Sequence, residues 1–165
     1  MSKILNIQQS VIVNERYEDA TLQHAKQFLS NSSTTYYEKS KNLCQYDYKG
    51  IGQNNRVHSV IEIKNRTFNY AKGMRYRTTI MGYNKYIKFA KLKVKYPFIE
   101  HFYIVVKFTD KIAIYDFMNN IQFVNNDFYC NNNPDYYVKN FTRIDRGITK
   151  EHLYIDLSKF QVYDI

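Results

Sequence analysis

The stretch Val57 to Arg66 reads V-H-S-V-I-E-I-K-N-R, a β-strand pattern with charges set into it. Side chains alternate along a strand, so Ile61 and Ile63 take one face and Val60, Glu62 and Lys64 the other. Such a strand enters a core, where an unpaired charge costs several kcal/mol. The carboxylate and the amine therefore need partners. A cross-strand ion pair would serve, as would a strand end that reaches solvent. A site would serve too, with Glu62 a ligand for a divalent metal and Lys64 an ammonium beside it.

The neighbouring segments supply a sheet for this strand. Leu43 to Tyr48 reads as the preceding strand, and Gly50, Gly52 and the Gln53-Asn54-Asn55 run read as the turn between them. That hairpin would lay Asp47 near Glu62. His101 to Phe108 is the most apolar strand and is expected at the centre. Thr109-Asp110-Lys111 is a tight turn, and Ile112 to Phe117 returns. Thr78 to Met81 is a short strand, and His152 to Leu157 a last one, followed by a tail from Ser158 to Ile165.

Two helices are expected. Asn14 stands where an N-cap belongs, with Glu15 and Glu18 in the first turn, near the positive end of the helix dipole. Over residues 15 to 29, Leu22, Ala25 and Leu29 make the buried stripe. Glu15 and Glu18 fall at the N-terminal end of that same face. A second helix covers 84 to 93, with Tyr83, Ile87, Ala90 and Val94 as its apolar face and lysines elsewhere; Pro97 ends it. Residues 65 to 77 read as a basic, exposed connection, and 31 to 41 as a polar loop ending in an extended segment at Tyr36 and Tyr37. Residues 118 to 135 form an Asn-rich loop or insertion, and 136 to 165 the C-terminal elements. The expected fold is α/β (α+β), one domain over 1–165 with a core over about 15–117: a single mixed β-sheet flanked by helices.

Net charge is +9, which suits a polyanion, and nucleic acid is the usual one. The 17 Tyr and 11 Phe offer faces on which bases can stack, although most such rings serve cores and sheets. An AT-rich coding sequence would by itself supply many of the lysines. No apolar run approaches the ~18 residues of a membrane span, and Met1 to Val13 lacks the regions of a signal peptide. Cys44 and Cys130 make no metal or disulfide pattern. A cytoplasmic protein is expected, without a membrane partner. No phosphate-binding or nucleophile-elbow motif occurs, so nucleotide hydrolysis and serine-hydrolase chemistry lack support.

Asp47, Glu62 and the Ile63 carbonyl together make a hard-oxygen set suited to Mg²⁺ or Mn²⁺. Lys64 beside them can orient a water or stabilise charge on a phosphate. Arg66, Lys85, Arg143 and Arg146 are candidate contacts to a nucleic-acid backbone. His58 shares the Glu62 face, and His24, His101 and His152 have no partner at ligand spacing.

Asp47 followed by Glu62-x-Lys64, in strand–turn–strand context, resembles the PD-(D/E)xK nuclease superfamily, the restriction-endonuclease-like fold. The order of the helix at 84 to 93 and the hairpin after it also fits, so the likeness spans about Glu15 to Phe117. The proline of the family motif is absent, with Tyr46 before Asp47. The resemblance implies that Asp47 and Glu62 are metal ligands, that Lys64 is the catalytic lysine, and that Glu18 (second choice Glu15) is the helix acid near the metal. It implies a Mg²⁺-dependent DNA endonuclease of the small phage type, a recombination or repair nuclease or a Holliday-junction resolvase. Such resolvases are usually dimeric, and an exposed edge strand or the Tyr-rich segments here could support a homodimer. The other expectation is a non-catalytic nucleic-acid-binding or virion-associated protein on the same fold.

Overall fold

In the computed structural model, residues 16–29, 33–41, 46–119, 123–124, 127–128, 136–143 and 148–165 are described. Outside them lie Ser10 to Val13, the Asn14 cap, Glu15, Cys44, Cys130, Asp145, Arg146 and the first part of the strand expected from Leu43.

A helix over residues 16–25 (α1) comes first. Then follow β1 (Thr34–Lys39), β2 (Tyr48–Gly52), β3 (Val57–Asn65), α2 (Tyr70–Tyr76), β4 (Thr78–Gly82) and α3 (Tyr83–Lys95). The strands β5 (His101–Lys107), β6 (Lys111–Asp116), β7 (Phe123–Val124), β8 (Asp127–Phe128), β9 (Tyr136–Arg143), β10 (Ile148–Asp156) and β11 (Gln161–Asp164) complete the chain. A six-stranded sheet has the order β1-β2-β3-β5-β6-β11. Within it β3 and β5 are parallel and the other pairs antiparallel. The class is α+β, a large mixed sheet flanked by a few helices. Beside it stands a smaller sheet, β4-β10-β9. No helix among the described residues is long and apolar enough to cross a membrane.

The alternation of β3 decides what covers each face of the large sheet. Ile61 and Ile63 join Tyr48, Tyr103, Val105, Ile112 and Ile114 under Leu22, Ala25 and Leu29 of the α1 segment. The opposite face carries Val60, Phe102, Ile104, Val106 and Tyr115, and it packs on Tyr86 and Phe89 of α3 and on Leu153 and Ile155 of β10. Burial of each such side chain contributes about 1.5–3 kcal/mol. The large sheet is therefore closed on both faces, so a charge on β3 must be held inside.

Several elements depart from expectation, each for a physical reason. The strand expected over Leu43 to Tyr48 lies further along: Tyr46 and Asp47 are in a bend, β2 begins at Tyr48 and includes Gly50 and Gly52, and the turn is residues 53–55, where Asn54 and Asn55 take positive φ. The glycines serve close approach: a Cβ on Gly50 would meet Ser59 Oγ at 2.2 Å, and one on Gly52 would meet the Ser33 carbonyl at 2.3 Å. The connection over 65 to 77 contains α2, capped by the Asn69 side chain, which accepts from the Lys72 N–H. A Cβ on its Gly73 would meet the Phe108 ring at 2.5 Å. The buried stripe of α3 is Tyr86 and Phe89, while Val94 is 65% exposed. The two bulky rings bury more area than a stripe through Val94 would, which rotates the helix. The C-terminal tail supplies β11, an edge strand against β6.

Candidate active site

β2 and β3 are antiparallel with Tyr48 opposite Ile61, so Asp47 lies at the end of the ladder next to Glu62. Two bonds pin it there. Its N–H donates to the Ile61 carbonyl at 2.9 Å. Its carboxylate Oδ2 accepts from the Ile63 N–H at 2.6 Å. Burial raises the Asp47 pKa above its usual value, and the charge of Glu62 raises it further; the Ile63 N–H and the ammoniums of Lys85 and Lys64 act against them.

Glu62 is 1% exposed, in the middle of a run of buried residues on β3. An isolated carboxylate there would cost several kcal/mol. Two amines meet it. Lys64 Nζ donates to Glu62 Oε1 at 2.5 Å, and Lys85 Nζ donates to the same oxygen at 2.5 Å. The lysine side chains are 25% and 29% exposed, so both are partly open to solvent while the acid is not. Glu62 Oε2 is buried and has no hydrogen-bond partner. With all four groups ionised, Asp47, Glu62, Lys64 and Lys85 sum to zero charge.

A hard divalent cation is the test of this donor set. Oxygen donors are the right chemistry for Mg²⁺ or Mn²⁺. The buried, unpartnered Oε2 next to a second carboxylate is a donor without an occupant from the protein. On that observation the residues fit such an ion. Among the described residues, however, no group of three or more His, Cys, Asp or Glu side chains stands close enough to hold one. Glu18 is the expected third acid among the described residues. It lies on α1, whose Leu22 and Ala25 pack against the Ile61 and Ile63 face, the face away from Glu62. Its carboxylate is 3.8 Å from Lys39 Nζ.

The other expected residues divide. Lys85, expected on a phosphate, reaches the Glu62 carboxylate instead. Arg66 is tied to the fold: its guanidinium donates to Thr79 Oγ1 at 3.1 Å, and its N–H donates to the Lys107 carbonyl at 2.7 Å. Arg143 ends β9, opposite Ile148 of β10. His101, without a partner at ligand spacing in the sequence, pairs with a single acid: its Nδ1 meets Asp116 Oδ2 at 2.6 Å across β5 and β6. His58 approaches Glu100 at 3.6 Å. The tight turn after Phe108 holds the signal for the His101 pair. Counting back from it sets Tyr103 opposite Asp116, diagonal to His101.

Nothing in the sequence signalled that Asp19, Tyr48 and Lys39 come together. The Tyr48 hydroxyl donates to Asp19, and Lys39 lies 3.5 Å from the same acid. Burial and the Asp19 bond push the Tyr48 pKa well above the usual phenol range. This second acidic group belongs to the α1 side of the sheet and ties the helix to β1 and β2. Thr21 adds a bond to the Asn65 side chain at 2.7 Å, fixing α1 to the end of β3.

No protein-family model, curated protein or solved structure matches this chain.

Proposed function

We propose that this protein is a metal-dependent DNA endonuclease whose site is Asp47, Glu62, Lys64 and Lys85. One observation carries the reading: Glu62 is buried with both ammoniums on Oε1 and nothing on Oε2. A carboxylate retained only for ion pairing would gain by using both oxygens. The order of α1, the β2–β3 hairpin, α3 and then β5 parallel to β3 supports the resemblance to PD-(D/E)xK nucleases.

In this reading Glu62 and Asp47 would hold Mg²⁺ or Mn²⁺. The bound ion supplies Lewis acidity toward a phosphate oxygen and lowers the pKa of a water. Lys64 keeps Glu62 in place and offers its ammonium to the charge that builds on the phosphate. Lys85 does the same from α3. Asp47 must be ionised to act as a donor, and its raised pKa makes that a pH-dependent step. The basic surface, from a net charge of +9, draws in the polyanion.

A second reading rests on a specific observation as well. Lys64 and Lys85 already neutralise Glu62, and no third acid completes a ligand group among the described residues. A non-catalytic nucleic-acid-binding protein would need no more. Cleavage separates the two. Supercoiled plasmid, single-stranded DNA and a synthetic four-way junction are incubated with Mg²⁺, Mn²⁺ or EDTA. The nuclease reading expects cutting that requires the ion and disappears in Glu62→Ala. Intact DNA in every lane, with binding retained by Glu62→Ala, would make this a binding protein.

A further inference from the structure

α3 carries Lys85, Lys88, Lys91, Lys93 and Lys95 and no acid. Three of these are engaged locally. Lys85 holds Glu62, Lys93 donates to the carbonyls of Pro97 and Ile99, and Lys95 lies over the Tyr96 ring. Lys88 and Lys91 enter none of the ion pairs among the described residues. Both line a groove of about 530 Å³ between α3 and β10. Its floor includes Tyr83 and Ile87, which are half-buried against the core. Asn84 and Glu151 supply polar groups at its wall, and Glu151 likewise enters no ion pair among the described residues.

We propose that this groove holds one unpaired nucleotide of a nucleic-acid strand. The volume lies within the range of about 300–1,000 Å³ typical of small-ligand sites. A base has apolar faces and polar edges, and the groove has an apolar floor and polar walls. The base lies on Tyr83 and Ile87. The Asn84 amide and the Glu151 carboxylate meet its edge, the carboxylate accepting from an exocyclic amine. Lys88 and Lys91 face the flanking phosphates. A fully paired strand keeps its bases stacked inside the duplex and cannot use the floor. The preferred substrate is therefore bulged, branched or single-stranded. Lys85 and Lys88 are one helical turn apart, so the groove adjoins the amine that reaches Glu62. This inference rests on the nucleic-acid part of the function proposed above, not on cutting.

The test is binding in EDTA, read by fluorescence anisotropy of labelled DNA. The probes are a duplex with one unpaired central nucleotide and the same duplex fully paired. The wild-type chain is expected to prefer the first by about tenfold, the scale of one stacked base. Lys88→Glu/Lys91→Glu removes the preference. Lys26→Glu/Lys72→Glu makes the same charge change on other elements; it weakens both probes together and leaves the preference intact. Equal wild-type affinity for the two probes would overturn the proposal. So would a preference that survives Lys88→Glu/Lys91→Glu, or one that the Lys26/Lys72 pair abolishes equally. Metal-dependent cutting without the preference would sink this inference and spare the nuclease reading. The preference without cutting would do the reverse.

Discussion

Asp116 and Glu62 stand on strands of the same sheet, and only one of them has every oxygen accounted for. Asp116 Oδ2 meets His101, and its Oδ1 accepts from the N–H groups of Phe102 and Met118 at 3.1 and 3.0 Å. Glu62 is the more buried of the two, yet both its bonds fall on Oε1 and Oε2 has none. Asp116 closes a strand end by taking up donors that would otherwise be orphaned. Glu62 does no comparable service to the backbone. A buried acid that the fold fails to satisfy is held at a cost, and such costs collect where a protein acts.

The comparison can be broken in four places. The largest effect is expected from Glu62→Met, which lowers metal-dependent cutting on the order of 100- to 1,000-fold in a plasmid-nicking assay, the scale of one group acting on the transition state. Unchanged cutting would move the chemistry elsewhere. Asp116→Ala is the counterpart. It strands the Phe102 and Met118 N–H groups, and urea unfolding should report a loss of about 1–3 kcal/mol. The cutting rate per folded molecule should not move, and a parallel loss of rate would tie the His101 pair to the site.

Asp47 adds a pH arm. Its pKa is raised in the folded chain, so folding takes up a proton there in the window between the unfolded value near 3.8 and the raised one. The stability this proton supplies is complete below 3.8 and is lost as pH rises through the folded value. The proposed cutting is expected to run the opposite way, growing as Asp47 ionises. Asp47→Asn should flatten that part of the stability profile, which thermal melts from pH 3 upward would detect. A slope that persists in Asp47→Asn would assign it to another group. The smallest effect is a coupling. Lys64 and Lys85 share one oxygen, so Lys64→Met and Lys85→Met should be non-additive by about 0.5–3 kcal/mol in a double-mutant cycle. Additive losses would mean that the lysines act apart.

Much of the sheet was legible because strand alternation and burial agree along β3. Ile61 and Ile63 fall on one side of it, and Val60 and Glu62 on the other. Hairpin arithmetic put Asp47 beside Glu62 without any tertiary information. Gly50 and Gly52 misled, because a glycine for close strand approach and one for a turn look alike in sequence. The stripe of α3 was set out of phase, since Tyr83–Ile87–Ala90–Val94 and Tyr86–Phe89 are both helical repeats and only the rings' contact with Phe102 and Phe117 selects one. Lys85 was hidden for the same reason. A helix rotation decides which lysine reaches Glu62, and no spacing along the chain encodes it. The Asp116 pair needed the register of β5 against β6, which the turn at Thr109 fixes but composition does not.

The central claim is that Glu62 is kept for chemistry and not for the fold. Equilibrium unfolding of Glu62→Met against the wild type, in EDTA, tests it most directly. Lys64 and Lys85 are partly exposed, so removing the acid need leave no buried charge behind. The exchange then resembles replacement of a whole buried ion pair by an apolar side chain, which is often neutral or stabilising by about 1–4 kcal/mol. The midpoint of Glu62→Met is therefore expected to equal or exceed that of the wild type, with Lys64 and Lys85 turning out to solvent. A loss of about 3–5 kcal/mol, the scale for breaking a buried pair that the fold needs, would contradict it and make Glu62 a structural acid like Asp116.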